Sequence, residues 1–487
     1  MGRTLRGQEA FNLFQQGKEA WNCFIDEQDV TKVDFRGVTF SRALELKVLS
    51  ISFRGFVFPE VRFETLNFDS LSTIDFSEAI FRGNAYFSGV MFPVGKLLFS
   101  GACFKQAAVF SLSSFQGGAD FSEAEIEIGV FDKTKWLREG DVSFNGARVG
   151  GLNFTDSEGI ARIEFYFGFR SCNSGIDFSN STFHEIQIQV PTPVLIDHLR
   201  FDCVKVHQEC VLNNLTALHI SMRNCDFNGN FMLGDLVVKR LDCAGSKFER
   251  NADFHNIAVK TYIDFNGCSF SHPVAIDGIR LGDPIGWGEF GTQSALSQSL
   301  SSIKKRFFME ETEPHNEIEL AEIAEYARSY RRLKQLAAES DNHSLELDMF
   351  ALELKASRWL KAEWWARIPY DLYALFSDYG RSLLRPVVGL FIFWILFSLV
   401  YMGCAASSSR SDFMGQWSAG LLLSLAQSVP FLTWHRTAKS EALAVLYPAA
   451  GGFDVPWIVH LAAVSQSILA VIFIFLLGLG IRNRFRI

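Results

Sequence analysis

Along residues 53–68, FRGFVFPEVRFETLNF, the large apolar side chains Phe53, Phe58, Phe63 and Phe68 fall five positions apart, with polar or small residues between them. A strand alternates every two residues and a helix turns every 3.6, so neither accounts for that interval. The interval returns in DFSEAIF (Phe76, Phe81), AYFSGVMF (Phe87, Phe92), LFSGACF (Phe99, Phe104) and AVFSLSSF (Phe110, Phe115). It returns again in IDFSNSTF at 176–183, LDCAGSKF at 241–248 and IDFNGCSF at 263–270. The position two before a phenylalanine is often alanine, as at Ala79, Ala102, Ala108, Ala119 and Ala252. Short units repeated this often predict stacked coils that share one continuous core. One large and one small inward residue in every five suits a narrow tube of square section, filled by Phe and relieved by Ala.

These units resemble the pentapeptide-repeat family, whose unit is small–x–(Leu or Phe)–x–x. The resemblance covers about residues 34–279 and implies a right-handed quadrilateral β-helix with four units to a turn. At the usual strand spacing of about 4.8 Å, about twelve turns give a rod of about 55–60 Å. The steps from 76 to 87 and from 87 to 99 are not multiples of five, and residues 186–201 lose the motif; bulges or inserted loops are expected there. Gly37, Gly55, Gly83, Gly101, Gly146 and Gly267 are assigned to corners, where a residue without Cβ turns most cheaply. Residues 1–30 are polar and helical in pattern, and similar segments precede the repeats in relatives. They read as an N-terminal helical cap over the first coil.

After the repeats the period becomes helical. Leu320, Ile323, Ala324, Ala327, Leu333 and Ala337, then Leu345, Met349, Leu352, Ala356 and Trp359, mark two helices, with ESDNH (339–343) as the turn between them. This is an α-helical hairpin connector within 291–382, preceded by a serine-rich hinge, TQSALSQSLSS (292–302). Beyond residue 383 the composition changes. Residues 386–403, PVVGLFIFWILFSLVYMG, and 457–481, WIVHLAAVSQSILAVIFIFLLGLGI, carry no formally charged residue. At 1.5 Å per residue these are about 27 and 37 Å long, enough for a hydrocarbon core of about 30 Å. Basic residues flank their outer ends (Arg358, Lys361, Arg367, Arg381 and Arg385; Arg482, Arg484 and Arg486), while about fifty residues between carry only Arg410, Arg436 and Lys439. The positive-inside rule then predicts both termini in the cytoplasm, and the expected location is a bacterial inner membrane. Trp364, Trp365 and Tyr370 read as an interfacial belt.

Between the spans, WSAGLLLSLAQSVPF (417–431) is apolar, too short to cross, and closes on Pro430. It is expected to be a re-entrant helix within 415–434. Span, short helix, proline-containing loop and span resemble the two-span pore-loop module of ion channels, and the ending LLGLGIRNRFRI resembles that of membrane-anchored pentapeptide proteins carrying it. The following SVPFLTWHR has no TVGYG-like run, so the carbonyl ladder of a potassium filter is not specified and selectivity for potassium is unsupported. Ser424, Gln427 and Ser428 share a face, and with Pro430, Thr433, Ser465 and Gln466 they are the pore-lining candidates; Gln466 has a second reading as an interhelical hydrogen-bonding group. The fold class is thus a multidomain membrane protein: cap 1–30, solenoid 31–290, helical connector 291–382, and a two-helix transmembrane module 383–487.

Composition adds exclusions. Net charge is −8, and residues 31–130 hold 11 acidic against nine basic groups, too balanced to mimic nucleic acid. No P-loop, HExxH, GxSxG or acidic metal run is present, so neither enzyme chemistry, cofactor nor metal is expected. The nine cysteines lack ligand spacing and read as small hydrophobes; Cys243 stands where a Phe normally does. Two functions remain. One is a homo-oligomeric pore of four or more subunits, in contact with membrane lipid, whose solenoid senses a cytoplasmic protein or ligand. The other is a membrane-tethered scaffold that does not conduct.

Overall fold

The computed structural model describes residues 2–38, 50–68, 70–137, 140–166, 175–190, 195–281, 317–361, 363–405, 412–428, 434–449 and 452–485. The serine-rich hinge, Pro430 and Thr433 lie outside the described residues. The chain divides into two compact units, Met1–Glu311 with Gln335–Asn342, and Thr312–Lys334 with His343–Ile487.

The first unit is a β-solenoid of about 10 turns whose described ladders are all parallel. Phe58 pairs with Phe81 and Phe81 with Phe104, each 23 residues on; later Leu199 pairs with Ile220, 21 residues on. The longer turn explains why about ten coils, not about twelve, fit into the repeat region. Phe53, Phe58, Phe63 and Phe68 of one coil lie over Phe76, Phe81, Phe87 and Phe92 of the next, and all eight are buried. Successive rings stack face to face: Phe53 on Phe76 at 4.7 Å, Phe76 on Phe99 at 5.0 Å, Phe99 on Phe121 at 4.9 Å. The alanines of the motif are buried beside them. The described residues of this motif-poor region, 186–190 and 195–201, continue the ladder with aliphatics as well as Phe201: Ile186, Ile188, Val190, Ile196 and Leu199 are all buried.

Most of the extra residues enter on one side of the coil, eight positions from Phe68 to Phe76 and seven from Phe92 to Phe99, and one more enters on another side, where Phe81 to Phe87 and Phe104 to Phe110 are six apart. Here glycine is required by the approach of backbones: a Cβ on Gly95 would lie 1.8 Å from the Ser72 carbonyl oxygen, and one on Gly140 2.7 Å from the Gly118 nitrogen. Gly83 is similar, 2.8 Å from the Glu60 nitrogen, and is not a left-handed corner. The true corner falls two residues after an inward aromatic. Gly37, Gly55, Gly101, Gly146 and Gly267 have positive φ there, and so do Thr65, Glu78, Leu112, Glu123 and Lys133. A flanking carboxylate helps to hold that corner: Asp75 Oδ1 accepts from Ser77 N (2.8 Å), Asp177 from Ser179 N (2.9 Å) and Asp264 from Asn266 N (2.7 Å). One residue further on, a small hydroxyl or thiol donates to a carbonyl of the preceding coil: Ser113 to Phe87 (2.6 Å), Ser157 to Phe131 (2.7 Å), Cys225 to Phe201 (2.7 Å). In these coils the carbonyl thereby gains a second donor beside a local one, as Phe201 O also accepts from Val204 N (3.0 Å) and Phe131 O from Thr134 Oγ1 (2.9 Å). Burial pushes the Cys225 thiol up to about 12, which keeps it unreactive.

Helices α1 (Gln8–Phe14) and α2 (Lys18–Glu27) lie against the first coil. Trp21 Nε1 donates to the Val57 carbonyl (2.9 Å), and Phe14 packs on Phe53 at 4.6 Å. The last coil meets Asn342, whose amide donates to the Ile276 carbonyl (2.7 Å).

Helices α3 (Glu317–Glu339) and α4 (His343–Trp359) flank the turn expected at 339–343, where Asp341 takes a left-handed conformation. In the second unit Arg331 and Lys334 hold Glu353 at 2.8 and 2.5 Å. Then follow α5 (Trp364–Ser377), α6 (Leu384–Gly403), α7 (Phe413–Ser428), α8 (His435–Leu446) and α9 (Trp457–Phe485). Two of these, α6 and α9, are long and apolar enough to cross a membrane, with mean hydropathy 2.1 and 2.4. The loop expected between the short helix and the second span contains α8, which the sequence reading missed. Its Ala442, Leu443 and Leu446 join Tyr401, Ala419, Leu423 and Val459 in one apolar core.

Candidate functional site

A helix that ends inside an apolar bundle leaves its last four carbonyls without partners. Helix α7 meets that problem at its last four residues, 425–428, of which the Gln427 carbonyl faces a side-chain hydroxyl of another helix. Its solution is a polar cluster built from three helices.

Two residues of α9 bind this end of α7. Gln466 Nε2 lies 2.8 Å from the Ser424 carbonyl oxygen, 2.7 Å from Ser424 Oγ and 2.9 Å from Ser428 Oγ. Ser467 Oγ, with one hydrogen to give, lies 3.2 Å from the Gln427 carbonyl oxygen and 2.9 Å from the Ala463 carbonyl oxygen of its own helix. Helix α6 holds the other side. Ser424 Oγ donates to the Trp394 carbonyl (2.7 Å), and Trp394 Nε1 donates to the Leu421 carbonyl (3.0 Å). Tyr401 donates to Gln466 Oε1 (2.7 Å), and Tyr447, just past α8, donates to the Tyr401 carbonyl (2.5 Å). Ser424, Ser428, Gln466 and Tyr401 are each at most 4% exposed.

Close approach of α6 and α7 rests on small residues. A Cβ on Gly420 would stand 3.0 Å from both the carbonyl and the hydroxyl oxygen of Ser398. The Ser398 hydroxyl is buried and has no hydrogen-bond partner among the described residues. Where α6 meets α9, a Cβ on Gly389 would come 2.5 Å from the Phe473 ring.

The positions along the helices set the depth of the cluster. Trp394 lies nine residues before the end of α6 at Gly403, and Gln466 nine residues after the start of α9 at Trp457. At 1.5 Å per residue each is about 14 Å from the helix end that leads to the intervening segment. The C-terminus of α7 therefore meets both long helices about halfway along the apolar stretch of α6.

Of the seven candidates, the structure brings Ser424, Ser428 and Gln466 into one cluster and places Gln427 at its edge, with its backbone engaged. Ser465 is separate; its hydroxyl bonds the Leu461 carbonyl of its own helix (2.9 Å). The sequence reading missed Trp394, Ser398 and Tyr401. Their spacing of four and three residues puts them on one face of α6, and that was the available signal.

Among the described residues no group of three metal-ligating side chains comes together. No known family, curated protein or solved structure matches this chain.

Proposed function

We propose that the chain is one subunit of a homo-oligomeric membrane pore, four or more chains around an axis, with the β-solenoid as a cytoplasmic module that senses a protein partner or ligand. The observation that carries this reading is the hydrogen-bonded C-terminal end of α7, held about halfway along α6. Two spans suffice to anchor a solenoid. A third helix that enters halfway, and whose end is bound by Gln466 and Ser467, has a purpose where a path through the bilayer must be framed. In this reading α7 is re-entrant. Its carbonyl end, the negative pole of the helix, points toward the middle of the membrane and favours cations there.

The reading reassigns roles among the candidates. Ser424, Ser428 and Gln466 hold the frame within each subunit, and the lining falls to Ser465 and to the segment after α7 that contains Pro430 and Thr433. Because one half-depth helix encloses nothing alone, the pore requires several copies.

A second reading has its own support. Every polar side chain of the α7 cluster except Ser398 is engaged within one chain, so the bundle can be complete as a monomeric anchor for a solenoid scaffold. The subunit number separates the two. Particle mass of the detergent-purified chain, by light scattering or single-particle microscopy, is expected to show four or more copies. A monomer or dimer would overturn the pore and leave the anchored solenoid.

A further inference from the structure

The second unit holds a pocket of about 490 Å³ at the start of α6, lined by Arg381, Arg484, Ser382 and Asp378 on its polar side. Leu383, Leu384 and Val387 form the remainder. From there the apolar surface continues along α6 through Val388 and Phe391, both exposed in the protomer. A largely apolar recess edged by two arginines and continuous with an exposed apolar stripe matches an amphiphile, not a wholly polar solute.

The charges define its headgroup. Arg381, Arg385 and Arg484 stand against Asp378 and Asp348, three guanidinium groups to two carboxylates. Arg381 is shared by Asp348 (3.0 Å) and Asp378 (3.1 Å), yet its Nε is buried without an acceptor. Arg484 forms no ion pair among the described residues, although Asp378 lines the same pocket. Positive charge is therefore left over, at the end of the long helices where the basic residues collect.

We propose that this pocket binds the phosphate of an anionic phospholipid, with Arg484 and Arg381 as the phosphate contacts and an acyl chain laid along Leu384, Val387 and Phe391. The proposal rests on the reading of α6 and α9 as membrane spans, and it does not depend on conduction. Basic pockets between membrane helices recognise such headgroups, at about 1 kcal/mol for each basic residue, or about five-fold in affinity.

The test is a lipid titration of the full-length protein in detergent micelles, with bound lipids counted by native mass spectrometry. The probes are palmitoyl-oleoyl phosphatidylglycerol and phosphatidylcholine of the same chains. Phosphatidylglycerol is expected to bind saturably, one tight site per chain and at least about ten-fold tighter than phosphatidylcholine. Arg484→Gln should weaken it about five-fold. Arg482→Gln, which changes a neighbouring arginine that does not line the pocket, should leave it unaltered. Equal affinity for the two lipids overturns the proposal, and so does an equal loss in both variants. Inorganic phosphate is the third probe: saturable millimolar binding of phosphate without lipid would make this a soluble-anion site and overturn the lipid assignment. Should R484Q fold poorly, Arg484→Lys and the wild-type titrations decide the matter, since lysine keeps the charge and should retain most of the preference. A silent bilayer would sink the pore and leave this site standing. Release of the chain from membranes by alkaline carbonate would remove the spans and the lipid site together.

Discussion

Replacing Gln466 with leucine keeps roughly the same volume and removes the centre of the polar cluster. Three oxygens lie within 2.9 Å of Nε2, but an amide nitrogen has two hydrogens, so two bonds are lost there. A third is lost at Oε1, where Tyr401 donates at 2.7 Å. Hydrogen bonds between membrane helices average about 0.6 kcal/mol and reach about 1.7, so three are worth about 2 kcal/mol. The change also strands the Tyr401 hydroxyl in an apolar interior, at a further cost of about 1–3 kcal/mol unless it finds a new partner. Gln466→Leu is therefore expected to destabilise the membrane unit by about 2–5 kcal/mol, the low end applying if Tyr401 finds a new partner. Dodecylsulfate titration in mixed micelles, read by tryptophan fluorescence, measures this directly, because Trp394 belongs to the same cluster. A double-mutant cycle with Tyr401→Phe should return a coupling of about 0.6–1.7 kcal/mol. Ser465→Ala should be silent, since that hydroxyl bonds only its own helix. A Gln466→Leu protein within about 0.5 kcal/mol of wild type, or a cycle with no coupling, would refute the binding role of this side chain.

Two serines of the same bundle should behave oppositely: Ser424→Ala costs about 1–2 kcal/mol by removing the bond to Trp394, while Ser398→Ala is neutral or stabilising because its hydroxyl has no partner, as the same titration would show. In the solenoid, Leu112 sits at a left-handed corner with φ 61° and is 65% exposed, so Leu112→Gly should raise stability by about 0.5–1 kcal/mol in urea unfolding of the full chain. His219 stacks on His198 at 5.1 Å, and burial, then His198, Lys239 and Arg240, lower its pKa below 6.5. Its neutral form is the one the fold favours, so the stability it contributes is present above pH 6.5 and is lost as pH falls through the lower folded value; the melting temperature should fall over that range, and His219→Asn should flatten the fall. Glu353 goes the same way at lower pH. Burial pushes its carboxyl up, but Lys334 and Arg331 outweigh burial and leave it below 4.5, so Glu353→Gln should remove acid-sensitive stability lost as pH drops beneath that value.

The solenoid was legible because its core repeats in sequence what it repeats in space: each inward Phe announces the next. Its turn length was not, because the longer side of the coil is marked only by scattered glycines, Gly95, Gly117 and Gly140, whose necessity comes from the neighbouring coil. The aspartates before Phe76, Phe178 and Phe265 recur plainly in the sequence, yet their task of holding the corner amide needs the left-handed backbone to be understood. In the membrane unit the polar residues stood out against an apolar background, so Ser424, Ser428 and Gln466 could be singled out. Which way they face could not be read, since a polar side chain within a span serves a water path and a neighbouring helix equally well. Helix α8 escaped because HRTAKSEALAVL buries only Ala438, Ala442, Leu443 and Leu446, a weak stripe among polar residues.

The most direct test of the pore is electrical. Purified full-length chain is reconstituted into planar bilayers, with voltage and membrane tension applied in turn. The account predicts discrete unitary current steps from particles of four or more chains. A reconstituted oligomer of that size that passes no current, in several lipid compositions and under each stimulus, would contradict it.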